Sequence, residues 1–246
     1  MPANPQAPSA RSAPPAPSAP VVRLDGVCLR QDGDRPILGG ASFTLSAGSF
    51  HVLTGAAGCG KSAVLGLIAL EGAPSMGRIE VFGRDTAALT REERPSLRRR
   101  VGVVFQDDRL VDHLSVFDNA ALAPRVQGRK PAAYGDEVAE ILAWVGLGAS
   151  LDAMPGALSP GDRRRLAVAR AVAGRPDLLL ADEPTAGVDA ASGRRILRLL
   201  AELNGAGATV LMATRDQGLA ASSGAPVLHL RDGKVTAIEA FERAAS

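Results

Sequence analysis

Hydrophobic positions along the chain form short alternating or continuous runs, interleaved with segments whose apolar residues recur at helical spacing. VVRLDGVCLR, beginning at Val21, offers β-branched residues and partial alternation; residues 31–35 read as a turn, and ASFTLSAGSFHVLTG alternates again, so strands are expected. SAVLGLIALE, directly after Lys61, has helical spacing, which gives the order strand, glycine-rich loop, helix. GRIEVFG reads as a short strand, TAALTREERPSLRRR as a polar, basic stretch, and VGVVFQ as a compact apolar strand with Gln106 at its C-terminal edge.

Residues from about 110 to 175 carry mainly helical patterns broken by Gly and Pro, including EVAEILAWVGL and RRRLAVARAVAG. PDLLLADEP is a buried-strand pattern ending in two carboxylates, GRRILRLLAELNGAG an amphipathic helix closed by glycine, and ATVLMAT a further buried strand. Strands alternating with helices predict a mostly parallel sheet in one α/β domain over residues 21–246, with the helical segment as an insertion. Residues 1–20, almost wholly Pro, Ala and Ser, are expected to form a disordered tail because they offer too little apolar surface to offset ordering entropy.

Composition narrows the partners. With 28 basic and 26 acidic residues interspersed, charge predicts no nucleic-acid partner. Cys28 and Cys59 lack disulfide or metal spacing, which fits the reducing cytoplasm. No run reaches the eighteen or so apolar residues that a membrane-spanning helix needs, so any membrane attachment is expected through a partner.

The strongest chemical signal is Gly55-Ala56-Ala57-Gly58-Cys59-Gly60-Lys61-Ser62, a complete G-x-x-x-x-G-K-S loop between a strand and a helix. Its glycines let backbone N–H groups turn inward onto phosphate oxygens, Lys61 adds a mobile cation for the β- and γ-phosphates, and Ser62 offers a hydroxyl to Mg²⁺. Asp182, ending the apolar run LLLAD, fits a carboxylate that holds the same Mg²⁺. Glu183 beside it fits the residue that orients or deprotonates an attacking water.

With both halves present, the sequence resembles the ABC ATPases from Val21 to about Val235. That resemblance implies a P-loop NTPase fold of the ABC nucleotide-binding-domain type, with an antiparallel β element and a helical signature subdomain. Gln106 in VVFQD is similar to the Q-loop glutamine, which in the family touches Mg²⁺ and senses the membrane partner. Leu158-Ser159-Pro160-Gly161-Asp162 resembles the LSGGQ signature, with Ser159 and Gly161 facing the nucleotide of a second copy. Ala186 to Asp189 occupies the D-loop, and Arg215 stands where the family has its switch histidine. A homodimer around ATP follows from the resemblance.

SFTLSAGSFHVLTG, FQDDRLVDHLSVFDNAAL, LLLADEPTAGVD and LNGAGATVLMAT together lean towards the cell-division family FtsE. This implies a cytoplasmic subunit, held at the inner face of the membrane by an FtsX-like integral membrane subunit and driven by ATP. A lipoprotein-release or export ATPase and a non-catalytic ATP-gated scaffold are the alternatives.

Three positions depart from the family. Gln31 stands where an aromatic residue stacks on adenine, an interaction of about 1–3 kcal/mol in nucleic-acid systems. Pro160 removes a backbone donor from the signature, yet suits a helix start in which Ser159 is the N-cap and Asp162 lies three residues on. Arg215 is always charged and cannot accept a proton, so water positioning is expected to suffer. The runs Arg98–Arg100 and Arg163–Arg165 are read as solvated faces, with contact to nucleotide or to a partner across the dimer as the alternative for the second, and Cys59 as a structural residue.

Overall fold

The computed structural model describes residues 20–31 and 35–238, so the expectations for residues 1–19 and for the polar turn at 32–34 lie outside the described residues. β1 (Pro20–Gln31) and β2 (Arg35–Ser46) form an antiparallel pair. Their alternate apolar residues Val22, Leu24, Leu38 and Leu45 are buried, which is why the alternation was visible. The run ASFTLSAGSFHVLTG is two strands in two sheets. β2 ends at Ser46, a turn containing Gly48 at φ 70° follows, and β3 (Phe50–Thr54) enters the second sheet.

After the loop at 55–60 comes α1 (Lys61–Ile68), then β4 (Met76–Val81), the two-residue β5 (Arg84–Asp85), α2 (Glu93–Arg98) and β6 (Val101–Val104). The helical segment contains α3 (Val116–Ala120), α4 (Leu122–Val126), α5 (Gly135–Trp144) and α6 (Pro160–Ala173). β7 (Leu178–Asp182), α7 (Ala190–Gly205), β8 (Thr209–Thr214), α8 (Gln217–Ser222), β9 (Val227–Arg231) and β10 (Lys234–Ile238) complete it.

One sheet runs β2-β1-β4-β5 and is antiparallel; the other runs β10-β9-β3-β8-β7-β6, parallel except for the β9–β10 hairpin. Apolar side chains of both sheets and α1, among them Leu38, Leu53, Ile68 and Leu211, form one core. The other face of the parallel sheet packs through Val52, Leu179 and Met212 against Val168 and Val172 of α6 and Ile196 of α7. A third cluster, with Tyr134, Val138, Leu142 and Leu166, lies within the helical segment. α6 therefore belongs to two cores at once: its Leu166 face holds the helical segment together, and its Val168 face holds that segment to the sheet.

The two basic runs differ: Arg98, Arg99 and Arg100 are exposed, as a solvated face would be, whereas Arg163–Arg165 is not a solvated face. Arg164 is only 7% exposed. Arg163 and Arg165 donate to the carbonyls of Pro155 and Val145, Arg98 donates to the carbonyl of Leu70, and Arg100 lies over the Phe82 ring at 3.8 Å. Backbone carbonyls at loop ends need donors, and arginine's fork supplies them where a helix would leave them unpaired.

Candidate functional site

The site is assembled at one edge of the parallel sheet. Thr54 of β3 pairs with Thr214 of β8, and Asp182 of β7 pairs with Ala213 of β8, so the C-terminal ends of three neighbouring strands deliver the phosphate loop, the two carboxylates and Arg215 to the same rim. β6 adds Gln106 from the next position. Open α/β sheets bind ligands at this rim, because loops there escape the ladder and helices present their N-termini.

The loop at 55–60 owes its shape to glycine. Gly55 has φ 154°, and a Cβ there would lie 2.4 Å from the Leu230 carbonyl oxygen and 2.6 Å from the Cys59 Sγ. Gly60, left-handed at φ 108°, caps α1. Lys61 is buried, and its ammonium donates to the carbonyls of Gly55 at 2.8 Å and Ala56 at 3.0 Å, closing the loop on itself. Cys59 Sγ lies 4.0 Å from that ammonium and its side chain packs on the core below, as a structural residue would.

Ser62, Gln106 and Asp182, expected at the metal position, line one cavity of about 430 Å³, together with Glu71, Asp107 and Arg109. A hydroxyl, an amide oxygen and a carboxylate are hard oxygen donors of the kind magnesium takes beside phosphates. No cluster of three or more His, Cys, Asp or Glu that could hold a metal alone occurs among the described residues, and His51, His113 and His229 are not gathered together. Burial lowers the His51 imidazole's proton affinity, and His229 Nδ1 is 3.1 Å from the Thr54 hydroxyl.

Glu183 follows β7 with φ 48°. A side chain in that left-handed region is strained, by about 1–3 kcal/mol, and such strain persists where the surroundings over-determine it. Here its N–H donates to the Ala213 carbonyl at 2.9 Å. One carboxylate oxygen accepts from the Thr214 hydroxyl at 3.3 Å and the other from Arg215 Nε at 3.1 Å. The Arg215 side chain is 57% exposed and that of Glu183 10%, so the pair spans the boundary between site and solvent. In the structure Arg215 faces Glu183, the residue expected to position the attacking water. Sequence reading missed Thr214, which the short run Ala213-Thr214-Arg215 could have suggested.

Ser159, Pro160 and Gly161 lie at the start of α6. A Cβ on Gly161 would sit 3.6 Å from the Gly187 carbonyl oxygen, so this turn packs against the 186–189 turn and does not line the Ser62 cavity. Pro160 is the first helical residue, and the Ser159 side chain accepts from the Asp162 N–H at 3.2 Å. The Ser159 hydroxyl proton in turn goes to Asp162 Oδ2 at 2.7 Å. The signature serine thus has its donor committed within its own chain. The side chain of Gln31 lies outside the described residues.

Strand-end phosphate loop, paired acids and a helix opened at its N-terminus together define a P-loop ATPase. The family described as ABC transporter matches residues 38–186, and the chain belongs to it. It is 39% identical over 213 residues to the cell division ATP-binding protein FtsE of Escherichia coli K12, spanning 87% of this chain and 96% of that protein. It is 36% identical to FtsE of Bacillus subtilis over 196 residues, 80% of this chain and 86% of that one. The fold is similar to a dimeric, post-hydrolysis structure of the ATP-binding cassette MJ0796 bound to ADP and Pi, with TM-score 0.83, 29% identity and coverage of 90% of this chain and 99% of that chain.

Proposed function

We propose that this ABC ATPase is the nucleotide-binding subunit of a cell-division complex, working as a head-to-tail homodimer beneath an integral membrane subunit similar to FtsX. The observation that carries the nucleotide chemistry is the convergence of Ser62, Gln106 and Asp182 on one cavity, with Glu183 on the same strand end. The division role is supported by the FtsE relatives, which cover most of their own length with this chain. Among the described residues no helix is long and apolar enough to cross a membrane, so work at the cytoplasmic membrane face falls to the partner.

In this reading the backbone N–H groups from Gly55 to Ser62, Ala56, Ala57, Gly58, Cys59 and Gly60 included, receive the phosphates, and Lys61 exchanges its loop carbonyls for β- and γ-phosphate oxygens. Ser62, Gln106 and Asp182 would hold Mg²⁺, which when bound offsets the charge on the β,γ-bridge. Glu183 orients a water towards the γ-phosphorus and takes its proton. The water oxygen bonds to phosphorus as the bond to the β,γ-bridging oxygen breaks, and ADP leaves with that electron pair. Ser159 and Gly161 of the second copy close over the γ-phosphate.

Arg215 sets the pace. While it holds Glu183, the carboxylate is turned away from water by a charged hydrogen bond; nucleotide, which offers Arg215 a competing anion, releases it. Turnover by the isolated chain is therefore slow and rises when the membrane subunit stabilises the closed dimer.

The test is Glu183→Gln at the native locus. Filamentous, division-blocked cells are expected, with the membrane subunit still co-isolating with the variant. Normal division would refute the catalytic division role and favour an ATP-gated scaffold, and defective export with normal division would favour a transport ATPase.

A further inference from the structure

Two arginines of α6 end on the segment that carries Gln106. Arg164 donates from Nη1 to the Phe105 carbonyl at 2.5 Å and from Nη2 to the Gln106 carbonyl at 2.6 Å. Its Nη1 also lies 2.9 Å from Asp108 Oδ1. Arg170, nearly two turns further along, donates to the carbonyls of Asp108 and Arg109. Four of the five carbonyls between Phe105 and Arg109 are thereby held by one helix, while Asp108 and Arg109 take left-handed conformations at φ 58° and 47°.

This brace is not needed to start the helix, since Ser159 and Asp162 already cap it. A guanidinium only 7% exposed is costly to bury, and it is retained where hydrogen bonds and a carboxylate meet it together. Arg164 lies five residues from Ser159, so a single side chain joins the metal-side glutamine of one nucleotide site to the helix whose N-terminus faces the other.

We propose that Arg164 is a positioning residue that makes the Gln106 segment and α6 move as one body, so that nucleotide in a copy's own cavity orients its Ser159 and Gly161 for the second copy's ATP. The proposal rests on the homodimeric reading above. Its physical basis is the planar fork, which grips two successive carbonyls and a carboxylate at once; a lysine ammonium cannot hold that plane. Coupling of this kind is reciprocal, so closure on the second copy should also tighten each copy's own nucleotide.

The experiment uses the full chain and its variants Arg164→Gln, Arg164→Lys and the double variant Arg164→Gln with Asp108→Asn. Nucleotide affinity of dilute monomers is measured with a fluorescent ATP analogue, and association by sedimentation with a non-hydrolysable analogue and Mg²⁺. Both single variants are expected to keep monomer affinity within about twofold, because the loop at 55–62 is untouched, yet to associate about tenfold more weakly. Their ATPase cooperativity should fall towards a Hill coefficient of about 1. The double variant removes the carboxylate left stranded, so it should recover thermal stability without recovering association.

Recovery of association in the double variant would show that Arg164 only stabilises the fold, and the proposal would be wrong. Association of Arg164→Gln equal to wild type would also overturn it. Failure of the wild-type chain to associate with nucleotide would overturn the homodimeric reading and the proposal with it, an outcome distinct from the other two.

Discussion

The phosphate loop and the Glu183–Arg215 side of the site are built by different means. In the loop the groups proposed to receive phosphate are backbone N–H apart from the Lys61 ammonium, the shape comes from Gly55 and Gly60, and Cys59 is accommodated because its side chain packs inward. On the other side every function is a side-chain contact: Arg215 on Glu183, Ser159 on Asp162, Arg164 on the Gln106 carbonyl. A backbone-built half is constrained by conformation and changes little with side-chain identity. A side-chain-built half can be altered one residue at a time, and here arginine makes two of these three contacts.

The largest effect that can break this comparison is Glu183→Gln, which removes the proton acceptor and leaves the loop alone. Turnover should fall about 10²–10⁴-fold while nucleotide affinity measured by titration stays within about twofold. A matching loss of affinity would mean that the two halves are not separable.

Arg215→His comes next. It frees Glu183 from a permanent cation whose own exposure weakens the pair, so turnover should rise about three- to tenfold. An inflection near the ordinary imidazole value should appear in the pH–rate profile, which the arginine at this position does not give. An unchanged or lower rate would show that the site has adapted to arginine.

Pro160→Gly restores a backbone donor where α6 starts. Nucleotide-driven association should strengthen about threefold, and thermal stability should drop because the unfolded chain gains freedom. The smallest effect concerns Asp189, which caps α7 by accepting from the Ala191 and Ser192 N–H groups, each at 2.9 Å. Hydrogen bonds from Ser192, side chain first and then backbone, lower its carboxyl from 3.8 to about 2. Since the folded value lies below the ordinary one, this contribution is full above 3.8 and is lost as pH falls towards about 2. Asp189→Asn keeps the cap and removes that titration, so its melting temperature should fall less steeply than wild type over this acid limb.

Legibility in the sequence follows the same division. Strands buried on both faces, such as β7 and β8, announce themselves as continuous apolar runs, and the loop at 55–62 carries its geometry in its glycines. β9 and β10 went unassigned, although Asp232-Gly233, both with positive φ, mark a tight hairpin turn between apolar residues. The split of one alternating run between two sheets was hidden because period two is identical on either side of the turn at Gly48. Arginine contacts were least legible: Arg163, Arg164 and Arg165 look alike as letters, and only packing separates the buried brace from its neighbours. Ser159 and Asp162 were readable as a helix cap because capping is local in sequence.

Steady-state ATP hydrolysis by the purified chain, alone and with its membrane subunit, tests the central claim most directly, with Lys61→Ala as background. The account predicts slow turnover above that background, increased by the membrane subunit. Nucleotide binding without turnover in either condition would contradict it, because Glu183 would then be held by Arg215 in every state and the chain would gate its partner without catalysis.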